Sequence, residues 1–191
     1  MKEIILASSS PRRSALLEQI GLNFRVIVCD LEEHTPPGLQ PFEVVERLAA
    51  RKAMFVADRL TEGIVIGADT VVVWRGQLLG KPSCEQDAVE MLKRLQGSAH
   101  EVFTGVALVD AGNNKVEVSH EKTRVIFRPL DEEEIRRYVS TGEPSDKAGS
   151  YGAQGIGAIF IERIEGSYTN IVGLPMSKLS LMLKKFGYDI L

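Results

Sequence analysis

The chain has 191 residues, 44% of them hydrophobic, which is enough for a full core and fits a single domain over 1–191. Its 23 Lys and Arg against 26 Asp and Glu leave a formal net charge of −3, so no overall basic field would hold a nucleic acid partner and any anion site must be local. Cys29 and Cys84 lack zinc or redox spacing, the N-terminal apolar run stops at Ser8, and no stretch approaches membrane-spanning length. The expectation is a soluble cytoplasmic protein without a membrane partner.

In chain order, Ile4-Ile5-Leu6-Ala7 predicts a short buried strand, and Ser10-Pro11 an N-cap followed by proline at the first helical position. Leu16, Leu17 and Ile20 give that helix an apolar face, Gly21 supplies its left-handed stop, and a strand follows through Phe24, Val26 and Val28. Beyond the acidic stretch Asp30 to Glu33 and the Pro36-Pro37-Gly38 loop, a long helix carries Val45, Leu48, Ala49, Phe55 and Val56 on one face, with Lys52 in its middle. A strand over 64–73 is apolar on both sides except at Asp69 and Thr70, and Arg75-Gly76 turns it into a hairpin with Leu78 and Leu79.

Ser83 and Gln86 predict a capping box for a helix through Met91, Leu92 and Leu95 that ends at Gly97. Strands near 102–109 and 116–127 flank a turn at Gly112-Asn113-Asn114, and Asp131 caps a helix through Ile135, Tyr138 and Val139. After a glycine-rich stretch from Gly142 to Gly157, Ile159 and Ile161 suggest a strand, and a final helix over 176–186 turns Leu179 and Leu183 inward. Alternating strands and helices favour an α/β fold with a mixed twisted sheet flanked by helices.

Chemistry concentrates in a few of these places. The turn Ser8-Ser9-Ser10-Pro11-Arg12-Arg13 sets hydroxyls and two guanidinium groups at a helix N-terminus, where free N–H groups and the dipole favour a phosphate; an ordinary capped helix with solvated arginines is the alternative. Lys52, central on an apolar face, must either snorkel outward or meet an anion, and Lys81 in Gly80-Lys81-Pro82 is either a second cation for the site or a surface lysine. Asp69 stands out because an unpaired carboxylate in a buried strand is costly, so it needs a partner, a metal or a catalytic job. With Glu32 and Glu33 also available, a metal–phosphate site follows, in which a Mg- or Mn-like divalent cation bridges phosphate to carboxylate and Asp69 orients or deprotonates water. In the glycine-rich stretch, Gln154 is placed to read a base edge and Tyr151 to stack or bond through its hydroxyl, the plainer alternative being a flexible connection. Neither a P-loop nor a dinucleotide-binding glycine motif is present.

Five segments together, 8–13, 67–72, 80–82, 146–151 and Gly173-Leu174-Pro175, resemble the Maf family of nucleoside triphosphate pyrophosphatases, in the family's order and over nearly the whole chain. The resemblance implies a Maf/ITPase-like fold with two lobes around a nucleotide cleft. It also implies metal-dependent cleavage between the α and β phosphates to a monophosphate and pyrophosphate, a role in clearing unwanted nucleotides, a link of some members to arrest of cell division, and a homodimer. Asp69 would be the proton acceptor; Ser8, Arg13, Lys52 and Lys81 would line the phosphates; Arg12, Thr70 and Gln154 would govern substrate choice; and Glu33, in preference to Glu32, would be the further acid at the metal, with Asp69 a second ligand. Lys147 and Gln154 fit the branch acting on dTTP and UTP. Two rival readings stay open: a regulatory nucleotide- or DNA-binding protein acting on septum formation with little turnover, and a nucleotidyl or phosphoryl transferase.

Overall fold

The computed structural model describes residues 2–29, 31 and 38–191, so the expected acids Glu32 and Glu33 lie outside the described residues. A seven-stranded sheet runs in the order β2 (Phe24–Val26), β1 (Ile4–Leu6), β3 (Ile64–Trp74), β5 (Ala99–Asp110), β6 (Val116–Phe127), β7 (Ile161–Glu165), with β4 (Gln77–Leu79) on β3. The chain divides into two compact units, 1–69 with 104–121 and 173–191, and 70–103 with 122–172.

In the first unit, β1 (Ile4–Leu6) is buried along its whole length and pairs in parallel with β2 (Phe24–Val26) and with the start of β3 (Ile64–Trp74), Ile4 facing Phe24 on one side and Ile64 on the other. Helix α1 (Pro11–Gln19) buries Leu16 and Leu17, and the chain leaves it through Gly21 at φ 69°. Its N-cap is Ser10, as the sequence predicts, although the Ser10 side chain makes no cap bond. Helix α2 (Pro41–Ala57) opens on a capping box between Gln40 and Glu43 that the sequence reading did not single out. Val45, Leu48, Ala49 and Val56 are buried as expected, whereas Phe55 is only half-buried and lies under the Arg59 guanidinium.

Two glycines explain how α2 seats. A Cβ on Gly67 would overlap the Ala49 carbonyl oxygen, and one on Gly105 would overlap the Val45 carbonyl oxygen, one helical turn away. Gly67 lies on β3 and Gly105 on β5 (Ala99–Asp110), neighbouring strands, so two bare positions let the α2 backbone lie directly on the sheet. Around them Ile5, Ala7, Ala53, Val65 and Ala107 close the core. Helix α6 (Met176–Lys185) adds Leu179, Met182 and Leu183 to the buried residues.

In the second unit, the end of β3 turns through Arg75 and Gly76, both at positive φ, into β4 (Gln77–Leu79), with Val72 opposite Leu79. That backbone matches the strand twist in a two-residue hairpin. Helix α3 (Glu85–Leu95) departs from the expected capping box: its N-cap is Cys84, Ser83 donates through N and Oγ to the Asp87 carboxylate, and Gln86 reaches Glu90 instead. Strand β6 (Val116–Phe127) pairs antiparallel with β7 (Ile161–Glu165), while Asp131 caps α4 (Glu132–Val139) by accepting from the Glu134 N–H. Ile159, expected in a strand, instead sits in a 3-10 turn over Ile156–Phe160 and is 58% exposed. Phe127, Tyr138, Tyr151 and Phe160 pack edge to face, with centroids 4.7 Å apart for Phe127–Tyr151 and 4.8 Å for Tyr138–Phe160. The short helix α5 (Tyr168–Val172) completes the unit, and among the described residues no helix is long and apolar enough to cross a membrane.

Candidate active site

Strand β1 lies between two parallel neighbours, and the chain leaves its carboxyl end into α1 toward β2, while β3 lies on the opposite side. This is the topological switch point at which open α/β sheets bind ligands. Ser8 sits just beyond β1 and is buried. Because Leu6 faces Ile66 and the Ala7 N–H donates to the Ile66 carbonyl at 2.8 Å, the same register brings Ser8 level with Ala68, beside Asp69.

Arg13 is fixed at two points. Its Nη1 donates to Ser8 Oγ at 2.9 Å and its Nε to the Gly173 carbonyl at 2.8 Å. The backbone at Gly173 has φ 122°, a conformation that side-chain-bearing residues rarely adopt, so glycine there fits the turn into α6 that offers this carbonyl. Arg12 is half-buried on the same first turn, which carries no acidic residue. Two guanidinium groups and a helix N-terminus therefore concentrate positive potential beside Ser8.

Asp69, 6% exposed, has a partner: Lys52 Nζ lies 2.6 Å from its Oδ1. The lysine therefore does not snorkel outward, and the carboxylate does not stand uncompensated in the strand. Burying such a pair is justified energetically only when its geometry is well held. The close seating of α2 at Gly67 does this, since Lys52 is flanked in the helix by Ala49 and Ala53, the residues that meet Gly67. An ammonium has several donors, so engagement with Asp69 leaves Lys52 chemically able to contact a phosphate as well.

Thr70, Lys81 and Gln154 belong to the second unit. Thr70 is half-buried in β3, Lys81 is exposed after β4, and Gln154 is exposed in the glycine-rich stretch. The Gly149 N–H donates to the Gly80 carbonyl at 3.0 Å, tying that stretch to the turn that carries Lys81. It is no loose connection: 3-10 segments occupy Glu143–Asp146, Ala148–Ser150 and Ile156–Phe160.

One expectation in this stretch changes. Tyr151 does not face a base: it is 5% exposed, its hydroxyl is 2.8 Å from His100 Nε2, and its ring packs on Phe127. Lys147 is a local tie, with Nζ donating to the Glu143 carbonyl at 2.6 Å and to Asp146 Oδ1 at 2.5 Å. Glu143, near the start of the stretch, breaks no sequence pattern, since an acid in a polar loop ordinarily faces water, yet it is held by the backbone N–H groups of Ile156 and Gly157 at the far end. Among the described residues no group of three or more His, Cys, Asp or Glu side chains is placed to hold a metal ion.

The fold is shared with solved structures of low identity. The Ham1 protein of Staphylococcus aureus matches with a TM-score of 0.58 at 15% identity, covering 97% of this chain and 100% of that one. A HAM1 protein from Coxiella burnetii matches at 0.54 with 16% identity and the same coverage. Residues 3–186 match the Maf-like protein family, and the chain belongs to it. Among curated relatives, a dTTP/UTP pyrophosphatase of Pelotomaculum thermopropionicum is 59% identical over 191 residues, the full length of both chains. Proteins of the same name from Desulforamulus reducens, at 50% over all of both chains, and from Dictyoglomus turgidum, at 49% over 100% and 99%, are also similar.

Proposed function

We propose that this chain is a nucleoside triphosphate pyrophosphatase that hydrolyses dTTP and UTP. The observation that carries the proposal is the Lys52–Asp69 pair, held at 2.6 Å on the strand beside Ser8 in a chain of this family. Water attacks the α-phosphorus, the bond from that phosphorus to the α–β bridging oxygen breaks, and nucleoside monophosphate and pyrophosphate leave. Such a reaction needs oriented water and charge neutralisation more than covalent chemistry by the protein.

In this proposal Asp69 takes the proton of the attacking water, while Ser8, Arg13, Lys52 and Lys81 hold the phosphates. Arg12, Thr70 and Gln154 govern the choice of base. Arg13 arrives pre-oriented by Ser8 and Gly173, so little side-chain entropy is lost when it meets a phosphate. A divalent cation, Mg²⁺ or Mn²⁺, supplies charge neutralisation at the phosphates when bound. The donor chemistry fits such an ion, which takes few protein carboxylates and completes its shell with substrate phosphate and water. Asp69 is one proposed ligand and Glu33 the other. The proposed location is the cytoplasm, consistent with neither Cys29 nor Cys84 being in a disulfide, and the proposed homodimer rests on family resemblance alone.

Asp69→Asn tests the assignment. It keeps the side chain's size but removes the charge, so turnover of dTTP should fall at least about 100-fold while nucleotide binding stays measurable by calorimetry. Wild-type turnover in this variant would remove Asp69 from the chemistry.

A further inference from the structure

The glycines of the second unit's loop are arranged around a carboxylate of the chain itself. Glu143 Oε1 accepts from the Tyr138 hydroxyl at 2.9 Å and from the Gly157 N–H at 3.0 Å, and Oε2 accepts from the Ile156 N–H at 2.8 Å. The Tyr138 oxygen in turn accepts from the Gly152 N–H at 3.1 Å. A Cβ on Gly155 would overlap Glu143 Oε2, one on Gly152 would come within 2.9 Å of Oε1, and one on Gly157 within 2.7 Å of the Tyr138 oxygen. These glycines are therefore bare because Glu143 and Tyr138 occupy the space that side chains would need.

Between the clasped positions, the Gly155 N–H closes a turn on the Gly152 carbonyl at 3.3 Å, and the exposed Gln154 lies within that turn. Bonds from backbone N–H groups to an ionised carboxylate are among the stronger hydrogen bonds in proteins, so three donors from two elements, α4 and the 3-10 turn at Ile156, converge on Glu143 and hold the turn firmly. Tyr138 is itself anchored in the core by edge contact with Phe160. The clasp thus connects α4 to the loop.

We propose that Glu143 is a positioning residue for nucleotide recognition: its carboxylate, with the Tyr138 hydroxyl, clamps residues 152–157 and so sets where Gln154 is presented. The effect on substrate rests on the proposed role of Gln154 in base choice; the clamping itself does not.

The test compares E143Q, Y138F and Q154A with the wild type. In E143Q an amide NH₂ replaces one acceptor, so the backbone N–H groups of Ile156 and Gly157 cannot both be satisfied. Loss of such charge-assisted bonds should raise KM for dTTP and UTP about tenfold with kcat within about twofold, and should speed amide exchange at Ile156 and Gly157 by at least about tenfold. Y138F, which keeps the carboxylate, should give a smaller change in the same direction and covers the case in which E143Q does not fold. Unchanged KM in E143Q and Y138F beside a raised KM in Q154A would overturn the positioning role. Should Q154A leave KM and the ranking of bases unchanged, base recognition lies elsewhere, and amide exchange alone decides: faster exchange in E143Q upholds the clamp, and unchanged exchange refutes it.

Discussion

His100 and Asp69 are both buried polar side chains, 2% and 6% exposed, and the protein treats them in opposite ways. Asp69 meets a cation, Lys52 Nζ at 2.6 Å, whereas His100 is kept neutral: burial lowers its pKa from 6.5 to about 3, and its Nε2 shares a hydrogen bond with the Tyr151 hydroxyl. A histidine whose folded-state pKa is depressed stabilises the fold above its unfolded value and loses that contribution as the pH falls. Between pH 6.5 and about 3 the unfolded chain takes up a proton that the folded chain refuses, which costs about 1.4 kcal/mol per pH unit. Urea denaturation at pH 7, 6 and 5 should therefore show stability falling more steeply in the wild type than in the double variant His100→Leu, Tyr151→Phe. Equal slopes would show that His100 is not held neutral. Asp69 was conspicuous in the sequence because a carboxylate inside an apolar run violates the pattern. His100 and Glu143 were not, since a lone histidine at a strand's start and an acid in a polar loop break no pattern until the backbone around them is known.

Helix α2 is where element packing determines site geometry. Its amphipathic period could be read directly, but its depth on the sheet could not, because that depends on glycines at 67 and 105 in strands distant in sequence. Adding a methyl at either place pushes the Ala49 or Val45 backbone away from the sheet, and forced overpacking of this kind costs roughly 1–3 kcal/mol. Gly67→Ala should lose stability in that range and also lose activity, since Lys52 lies on the displaced turn. Gly80→Ala, where a Cβ meets nothing within 4 Å, should stay within about 0.5 kcal/mol of wild type. Equal stability of the two variants in urea denaturation would mean that α2 is not seated by Gly67. The same dependence on spatial neighbours explains the smaller misreadings: Ser83 chose Asp87 over Gln86, and Ile159 entered a 3-10 turn rather than a strand. Local pattern marks an element's existence better than the partner that finishes it.

At the scale of the molecule, fold and family carry different amounts of information. The sheet is shared with Ham1 proteins at 15% and 16% identity, and a likeness at that level describes architecture, not chemistry. Membership in the Maf-like family, with relatives named dTTP/UTP pyrophosphatase at 49% to 59% identity over nearly the full length, is what supports the proposed chemistry, with Ser8, Arg13, Lys52 and Asp69 as its proposed carriers. The mixed α/β sheet, the Ser10-capped turn into α1 and the buried carboxylate of β3 were all legible in the chain, because each combines a local pattern with a residue that interrupts it. The most direct measurement is of products: incubate the protein with dTTP and Mg²⁺ and separate the nucleotides by ion-exchange chromatography. The expected products are dTMP and pyrophosphate in equal amounts, with UTP giving UMP in the same way. Formation of dTDP and orthophosphate, or no turnover of either nucleotide, would contradict the proposed function.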